Sequence, residues 1–136
     1  MRIAMPVSCG RVSTAFDFAR HLLLIEYEDG EEVRRSEIVL EEEVPLNRAR
    51  RLEAAGVSVL ICGAISRSMA GRLASSGIDI IAFVSGSIEE VLAAYFAGEL
   101  ESARFLMPGS TYQERTEWRM RRQDRQATTV PGQSPP

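Results

Sequence analysis

The sequence predicts a single α/β domain in which helices cover a mixed sheet of five strands. Apolar residues alternate with others near the start of the chain, and two apolar runs follow at residues 57–62 and 78–84. Apolar residues at helical spacing lie between these runs and after the second one. Runs of this kind are typical of parallel strands buried on both faces, which helices connect by right-handed crossovers. The 136 residues suffice for one hydrophobic core.

The first half of the chain predicts three strands. Ile3, Met5 and Val7 alternate with their neighbours, and the turn at residues 8–10 ends this first strand. Residues 22–27 and 37–40 form two further extended runs. The Asp-Gly pair between them is a strong signal for a hairpin. We therefore expect an antiparallel hairpin beside the first strand.

Three helices are predicted in the second half. The first begins at Pro45 and ends before Gly56, since proline suits a first turn and glycine a C-terminal cap. The second carries a stripe of small and apolar residues and ends at residues 76–77. The third begins with Ser87-x-x-Glu90, the form of a capping box, and ends at Gly98.

Charge divides the chain into an acidic body and a basic tail. Residues 1–110 carry 11 arginines against 16 acidic residues, whereas residues 111–136 carry five arginines against three. We assign residues 1–110 to the folded domain and expect the polar, Arg-rich tail at 111–136 to be mostly disordered. An acidic body disfavours nucleic-acid binding, and no apolar segment is long enough for a membrane span or a secretory signal. These features predict a cytoplasmic protein.

The sequence contains none of the common motifs of hydrolases, zinc proteases or phosphate-binding loops. A metal-dependent nuclease built on such a sheet would need carboxylates on its first strand, where this chain has Ile3, Met5 and Val7. We therefore predict that the protein is not an enzyme.

The expected ligand site lies beyond the carboxyl ends of the parallel strands. Turns at residues 8–10, 62–66 and 85–87 meet at this edge if the first strand is parallel to the two apolar strands. Thiolates suit iron–sulfur or copper(I) chemistry, while glycines and helix starts bring N–H groups towards anions. The predicted site residues are Cys9, Ser13, Cys62, Gly63, Ser66, Gly86 and Ser87, with Cys9 and Cys62 as metal ligands.

Other interpretations of the same residues stay open. Cys62 ends an apolar strand, where cysteine often serves as a small hydrophobic residue, and Cys9 has no CxxC partner. His21 is more typical of a structural residue than of a metal ligand. The glycine turns are also compatible with plain strand-to-helix geometry. Two thiolates cannot complete a four-thiolate site, so a cluster would need further ligands, such as those of a second chain.

Several segments in fixed order resemble one protein family. They are residues 2–7, 10–19, 56–65, 77–81 and 89–100. Through these segments and their order, residues 2 to about 108 resemble the dinitrogenase iron-molybdenum cofactor biosynthesis family, which includes NifX, NafY and the C-terminal part of NifB. The chain departs from the family pattern Val-Ser-x-His-Phe-Gly at residues 12–17, where Ala15 and Asp17 replace the His and the Gly. It also lacks the Gly-rich stretch before the first helix.

The resemblance implies a ribonuclease-H-like three-layer fold without nuclease function. It also implies transient binding or carrying of an iron–sulfur or iron–molybdenum cluster precursor, with cluster-assembly proteins as partners. Two alternatives stay open: a protein-interaction or regulatory module that uses the basic tail, and a domain that binds small anions at the helix starts near Ser66 and Ser87. Both a monomer and a homodimer are compatible with the sequence, because the hairpin has an edge strand.

Overall fold

The computed structural model describes residues 1–41, 44–100 and 102–107. The strands are β1 (Arg2–Ser8), β2 (Arg11–Val12), β3 (His21–Glu28), β4 (Glu31–Val39), β5 (Val59–Ile61) and β6 (Asp79–Ile81). The helices are α1 (Pro45–Ala54), α2 (Arg67–Ser75) and α3 (Ile88–Ala97), with 3-10 turns at Phe16–Phe18 and Ala103–Phe105. The predicted succession of a strand, a hairpin and three helices separated by two strands is confirmed.

The sheet has the order β4-β3-β1-β5-β6. Strand β1 is antiparallel to β3 and parallel to β5, and β5 is parallel to β6. The predicted mixed sheet of five strands is therefore confirmed. The structure adds the two-residue β2, which pairs with the end of β1 through Val7 and Val12. Two residues are too few to show a period in the sequence, which is why β2 escaped prediction.

Side chains alternate between two cores on opposite faces of the sheet. On β1, Ala4 belongs to the core that includes α1 and α2, whereas Ile3 and Met5 belong to the core that includes α3. Strand β5 divides in the same way, with Leu60 in the first core and Ile61 in the second. The molecule thus has three layers, as expected, with α1 and α2 on one face and α3 on the other.

The helix ends follow the signals in the sequence. The Ser66 hydroxyl caps α2 by accepting a hydrogen bond from the Met69 N–H. In the same way, Ser87 caps α3 by accepting from the Glu90 N–H, and Gly98 ends α3 in the left-handed conformation. These caps fix the two turns that precede the helices.

The hairpin differs from the prediction in length. Strand β4 starts at Glu31, not at residue 37, and Glu28 pairs with Glu31 across a two-residue turn. The first part of β4 is charged and exposed, so it carries no apolar signal. In the part of the chain that the structure describes, no helix is long and apolar enough to cross a membrane. The tail predicted at 111–136 lies outside the described residues.

Candidate functional site

The turn after β1 lies against the start of α3. The Ile88 N–H donates to the Gly10 carbonyl at 3.0 Å, and the Val12 N–H donates to the Gly86 carbonyl at 3.0 Å. Arg11 and Ser87 also form an antiparallel bridge. Two of the three predicted turns are therefore in direct contact at the carboxyl edge of the sheet.

The third turn joins them through the segment at residues 13–16. The Ala64 N–H donates to the Thr14 carbonyl and the Phe16 N–H donates to the Ala64 carbonyl, both at 2.8 Å. A β carbon on Gly63 would lie 2.7 Å from the carbonyl oxygens of Ser13 and Thr14. Gly63 is therefore required for this close approach of backbones. Residues 13–16 therefore pack against the turn at residues 62–66, at the edge of the sheet where the ligand site is expected.

Asp17 follows this segment, and its carboxylate contacts Ser66 at the N-terminus of α2. Its Oδ1 accepts a hydrogen bond from the Ser66 N–H at 2.9 Å, and its Oδ2 accepts from the Ser66 hydroxyl at 2.6 Å. A carboxylate is favourable there because the N-terminus of a helix carries partial positive charge. An anionic ligand at α2 would have to displace Asp17 from Ser66.

The two cysteines occupy very different environments. Cys9 is exposed at the tip of the turn after β1, with a φ of 52° in the left-handed region. Cys62 has no exposed surface and belongs to the core that includes α1 and α2. Burial, together with the negative charge of Asp17, raises the pKa of the Cys62 thiol well above its usual range. Cys62 is therefore a protonated thiol inside the domain, and its sulfur is not accessible to solvent, in contrast to that of Cys9.

The other predicted residues lie at the edge and have structural contacts. The half-buried Ser13 donates its N–H to the Pro6 carbonyl at 2.8 Å. Gly86 has a φ of 144°, and a β carbon there would lie 3.2 Å from Val91. Ser87 caps α3, and its hydroxyl also lies 3.2 Å from the Glu90 carboxylate. The glycine turns thus serve strand-to-helix geometry in addition to any ligand role.

The described residues do not form a complete metal site. No group of three or more His, Cys, Asp or Glu side chains within residues 1–41, 44–100 and 102–107 is arranged to hold an ion. Cys9 accordingly offers one accessible thiol per chain. His21, exposed at the start of β3, lies with its Nδ1 3.0 Å from a Glu37 oxygen across the hairpin.

A cavity of about 360 Å³, which no sequence signal predicted, lies beside the site. Its lining residues are Asp17, Phe18, Arg20, Leu40, Glu41 and Arg48. Arg48 is 2% exposed, donates to the Phe16 carbonyl at 3.0 Å and lies over the Phe16 ring at 5.6 Å. Phe18 is 83% exposed. An arginine inside a helical stripe has no distinctive spacing, so only the structure relates Arg48 to the segment around Asp17.

One protein-family model matches most of the chain. Residues 1–98 match the family model described as dinitrogenase iron-molybdenum cofactor, Nitro_FeMo-Co. The chain belongs to this family. The match begins before β1 and ends just after α3, so it includes every strand from β1 to β6 and the helices α1, α2 and α3. The Nitro_FeMo-Co family is related to the iron-molybdenum cofactor of dinitrogenase, which supports a role in cofactor assembly.

Solved structures share the Nitro_FeMo-Co fold at low sequence identity. The protein PH0822 is 23% identical, with a TM-score of 0.68 over 74% of this chain and 94% of its own. A Methanocaldococcus jannaschii protein provisionally named a dinitrogenase is 19% identical, with a TM-score of 0.63 over 74% and 91%. A Thermotoga protein provisionally named NifB is 21% identical, with a TM-score of 0.59 over 80% and 98%. None of the curated proteins matches the sequence.

Proposed function

We propose that this chain is a non-enzymatic protein that binds or carries an iron–sulfur or iron–molybdenum cluster, or a precursor of one, during metallocofactor assembly. Membership of the Nitro_FeMo-Co family over residues 1–98 is the observation that carries the proposal. The cluster is the cargo of the protein, and cluster-assembly proteins in the cytoplasm are its partners.

The chemistry of the proposal centres on Cys9. Its thiol is exposed at the carboxyl edge of the sheet, and a thiolate is a soft ligand that iron–sulfur clusters prefer. The turn that carries it is held against α3 by the hydrogen bond from Ile88 to Gly10. The turn that carries Cys9 is thus anchored, and we propose that Ser13, Gly63, Ser66, Gly86 and Ser87, in the turns of the same edge, line the cluster site.

One exposed thiol per chain suits a cargo that must leave again. The remaining iron positions would be filled by sulfide, by an acceptor protein or by Cys9 of a second chain. Each of these can be exchanged without unfolding the domain. We leave Cys62 outside the ligand set, because its sulfur has no exposed surface and its pKa is raised by burial.

Anaerobic reconstitution tests this proposal. The full chain is incubated with ferrous iron and sulfide and desalted, and then iron content and visible absorbance are measured. We expect the wild type and Cys62→Ser to retain iron and sulfide and Cys9→Ser to lose most of both, with circular dichroism verifying the fold of each. A wild type that retains no iron, or a Cys9→Ser variant that retains as much as the wild type, would contradict the proposal.

The exposed Phe18 favours a second candidate function, that of a protein-interaction module. Aromatic side chains and arginines are enriched in protein interfaces, and the exposed Phe18 lines one cavity with Arg20. Phe18→Ser would then weaken capture of cluster-assembly proteins while leaving iron retention unchanged. If the interaction depends on the cargo instead, Cys9→Ser would abolish capture and Phe18→Ser would not.

A further inference from the structure

We propose that β4 is a surface through which two copies of this chain pair, in antiparallel register centred on Ser36. Strand β4 ends the sheet order, and in the part of the chain that the structure describes it pairs with β3 alone. Eight of its nine residues are exposed. An edge strand presents unpaired N–H and C=O groups that another strand can bind. This inference does not rest on the proposed function.

The sequence of β4 complements its own reverse around Ser36. In an antiparallel pair centred there, Arg35 of each copy faces Glu37 of the other, and opposite charges on facing residues are favourable. Val39 of each copy comes to the end of the pair near Val33 of the other, where β4 bulges, and these valines are 42% and 53% exposed. The pairing would therefore cover exposed apolar surface and give Arg35 and Glu37 a further partner in the second copy, beside the partners that each already has within its own chain.

Neighbouring registers lack this complementarity. A pair centred on Arg35 places two arginines opposite each other, and one centred on Glu37 places two glutamates opposite each other. Like charges on directly facing residues are destabilising. A pair centred on Val33 matches Glu32 with Arg34, but the turn at Asp29 and Gly30 ends that ladder early. Ser36 is thus the centre that gives the longest complementary ladder.

The contacts within one chain are compatible with this register. The ladder between β3 and β4 shifts where Tyr27 faces Glu32 and Glu26 faces Arg34, so β4 is regular from Arg34 onwards. The Arg35 guanidinium is held by Glu32 at 2.8 Å and by Glu89 at 2.6 Å, and its side chain remains 30% exposed. These bonds fix the position of Arg35, which lowers the entropic cost of presenting it to a second copy.

Disulfide crosslinking tests the register. Ser36→Cys is made in a Cys9→Ser background, so that the exposed native thiol is removed. Residue 36 faces its own copy in the proposed pair, within the Cα distance that a disulfide spans. We expect Ser36→Cys to form a covalent dimer under mild oxidation. The matched control is Arg34→Cys, whose two copies would lie roughly 13 Å apart along the strands and would not crosslink. Equal crosslinking of both variants, or of neither, would overturn the proposal.

A charge exchange tests the pairing without added cysteines. Glu37→Arg alone and Arg35→Glu alone each place like charges opposite each other, so each should dimerise about tenfold more weakly than wild type. Mixing the two variants restores two Arg–Glu pairs, and we expect dimers in the mixture by sedimentation equilibrium. A wild type that is monomeric throughout, or a mixture no tighter than its components, would contradict the proposal.

Discussion

The carboxylate of Asp17 accepts two hydrogen bonds from Ser66, one from the backbone N–H and one from the hydroxyl. The Ser66 hydroxyl in turn accepts from the Met69 N–H, so three groups form one chain of bonds at the start of α2. This contact ties the segment after β2 to the helix and closes the carboxyl edge of the sheet. The position is one where a ligand anion would otherwise bind.

Asp17→Ala is expected to lower the free energy of unfolding by about 1–2 kcal/mol, because it leaves the Ser66 N–H without its acceptor. Urea denaturation measures this loss. Glu99→Gln, which changes an exposed acidic side chain beyond α3, serves as the control and should leave the midpoint unchanged. Equal stability of Asp17→Ala and the control would show that the contact contributes nothing.

Gly63→Ala should destabilise the domain by about 1–3 kcal/mol, since the added β carbon would collide with the backbone of Ser13 and Thr14. The matched control is Gly71→Ala in the middle of α2, where nothing lies within 4 Å of the added carbon. Alanine is the better helix former, so this control should gain up to about 1 kcal/mol. Thermal unfolding of both variants should therefore shift in opposite directions, and shifts of the same sign would contradict the packing described.

Thiol labelling should distinguish the two cysteines. Cys9 is exposed, whereas Cys62 is fully buried with a raised pKa, so an alkylating reagent should modify one thiol per native chain. Cys9→Ser should abolish labelling of the folded protein, and both thiols of the wild type should react in denaturant. Two fast-reacting thiols in the native wild type would show that Cys62 is accessible.

The ion pairs of Arg35 should make stability depend on acid pH. The hydrogen bonds from Arg35 lower the pKa of Glu32 from its ordinary 4.5. This contribution is therefore complete above the pKa of the unfolded chain and is lost as the pH falls through the lowered pKa of the folded chain. Because the groups are partly exposed, we expect Glu32→Gln to cost less than about 1 kcal/mol at pH 7. The difference from wild type should vanish in acid, and a constant difference across this range would contradict the assignment.

Most of the fold could be predicted because its signals are local. Short motifs predict the caps at Ser87 and Gly98, and the two central apolar strands lack the alternation of exposed strands. The first part of β4 could not be predicted, because charged residues on an edge strand are held by pairing with β3 and not by burial. The pattern of neighbouring residues therefore does not predict a strand whose extended conformation depends on pairing with another strand.

The meeting of the three turns could be predicted, but the contacts of their residues could not. The three turns meet at one edge because parallel strands bring their carboxyl ends together. Cys62 directly follows β5 and continues its alternation, which places its side chain with Leu60 in the core that includes α1 and α2. The role of Asp17 depends on contact with Ser66 across 49 positions of sequence, and no local pattern encodes such a contact.

The proposed role of Cys9 as cargo ligand is tested most directly by mass spectrometry of alkylated protein before and after loading with iron and sulfide. We expect Cys9 to be modified in the unloaded chain, protected in the loaded chain and modified again after a chelator removes the iron. Cys62 serves as the internal control, since it should remain unmodified in all three states. Equal modification of Cys9 in loaded and unloaded protein, with iron still bound, would contradict the account.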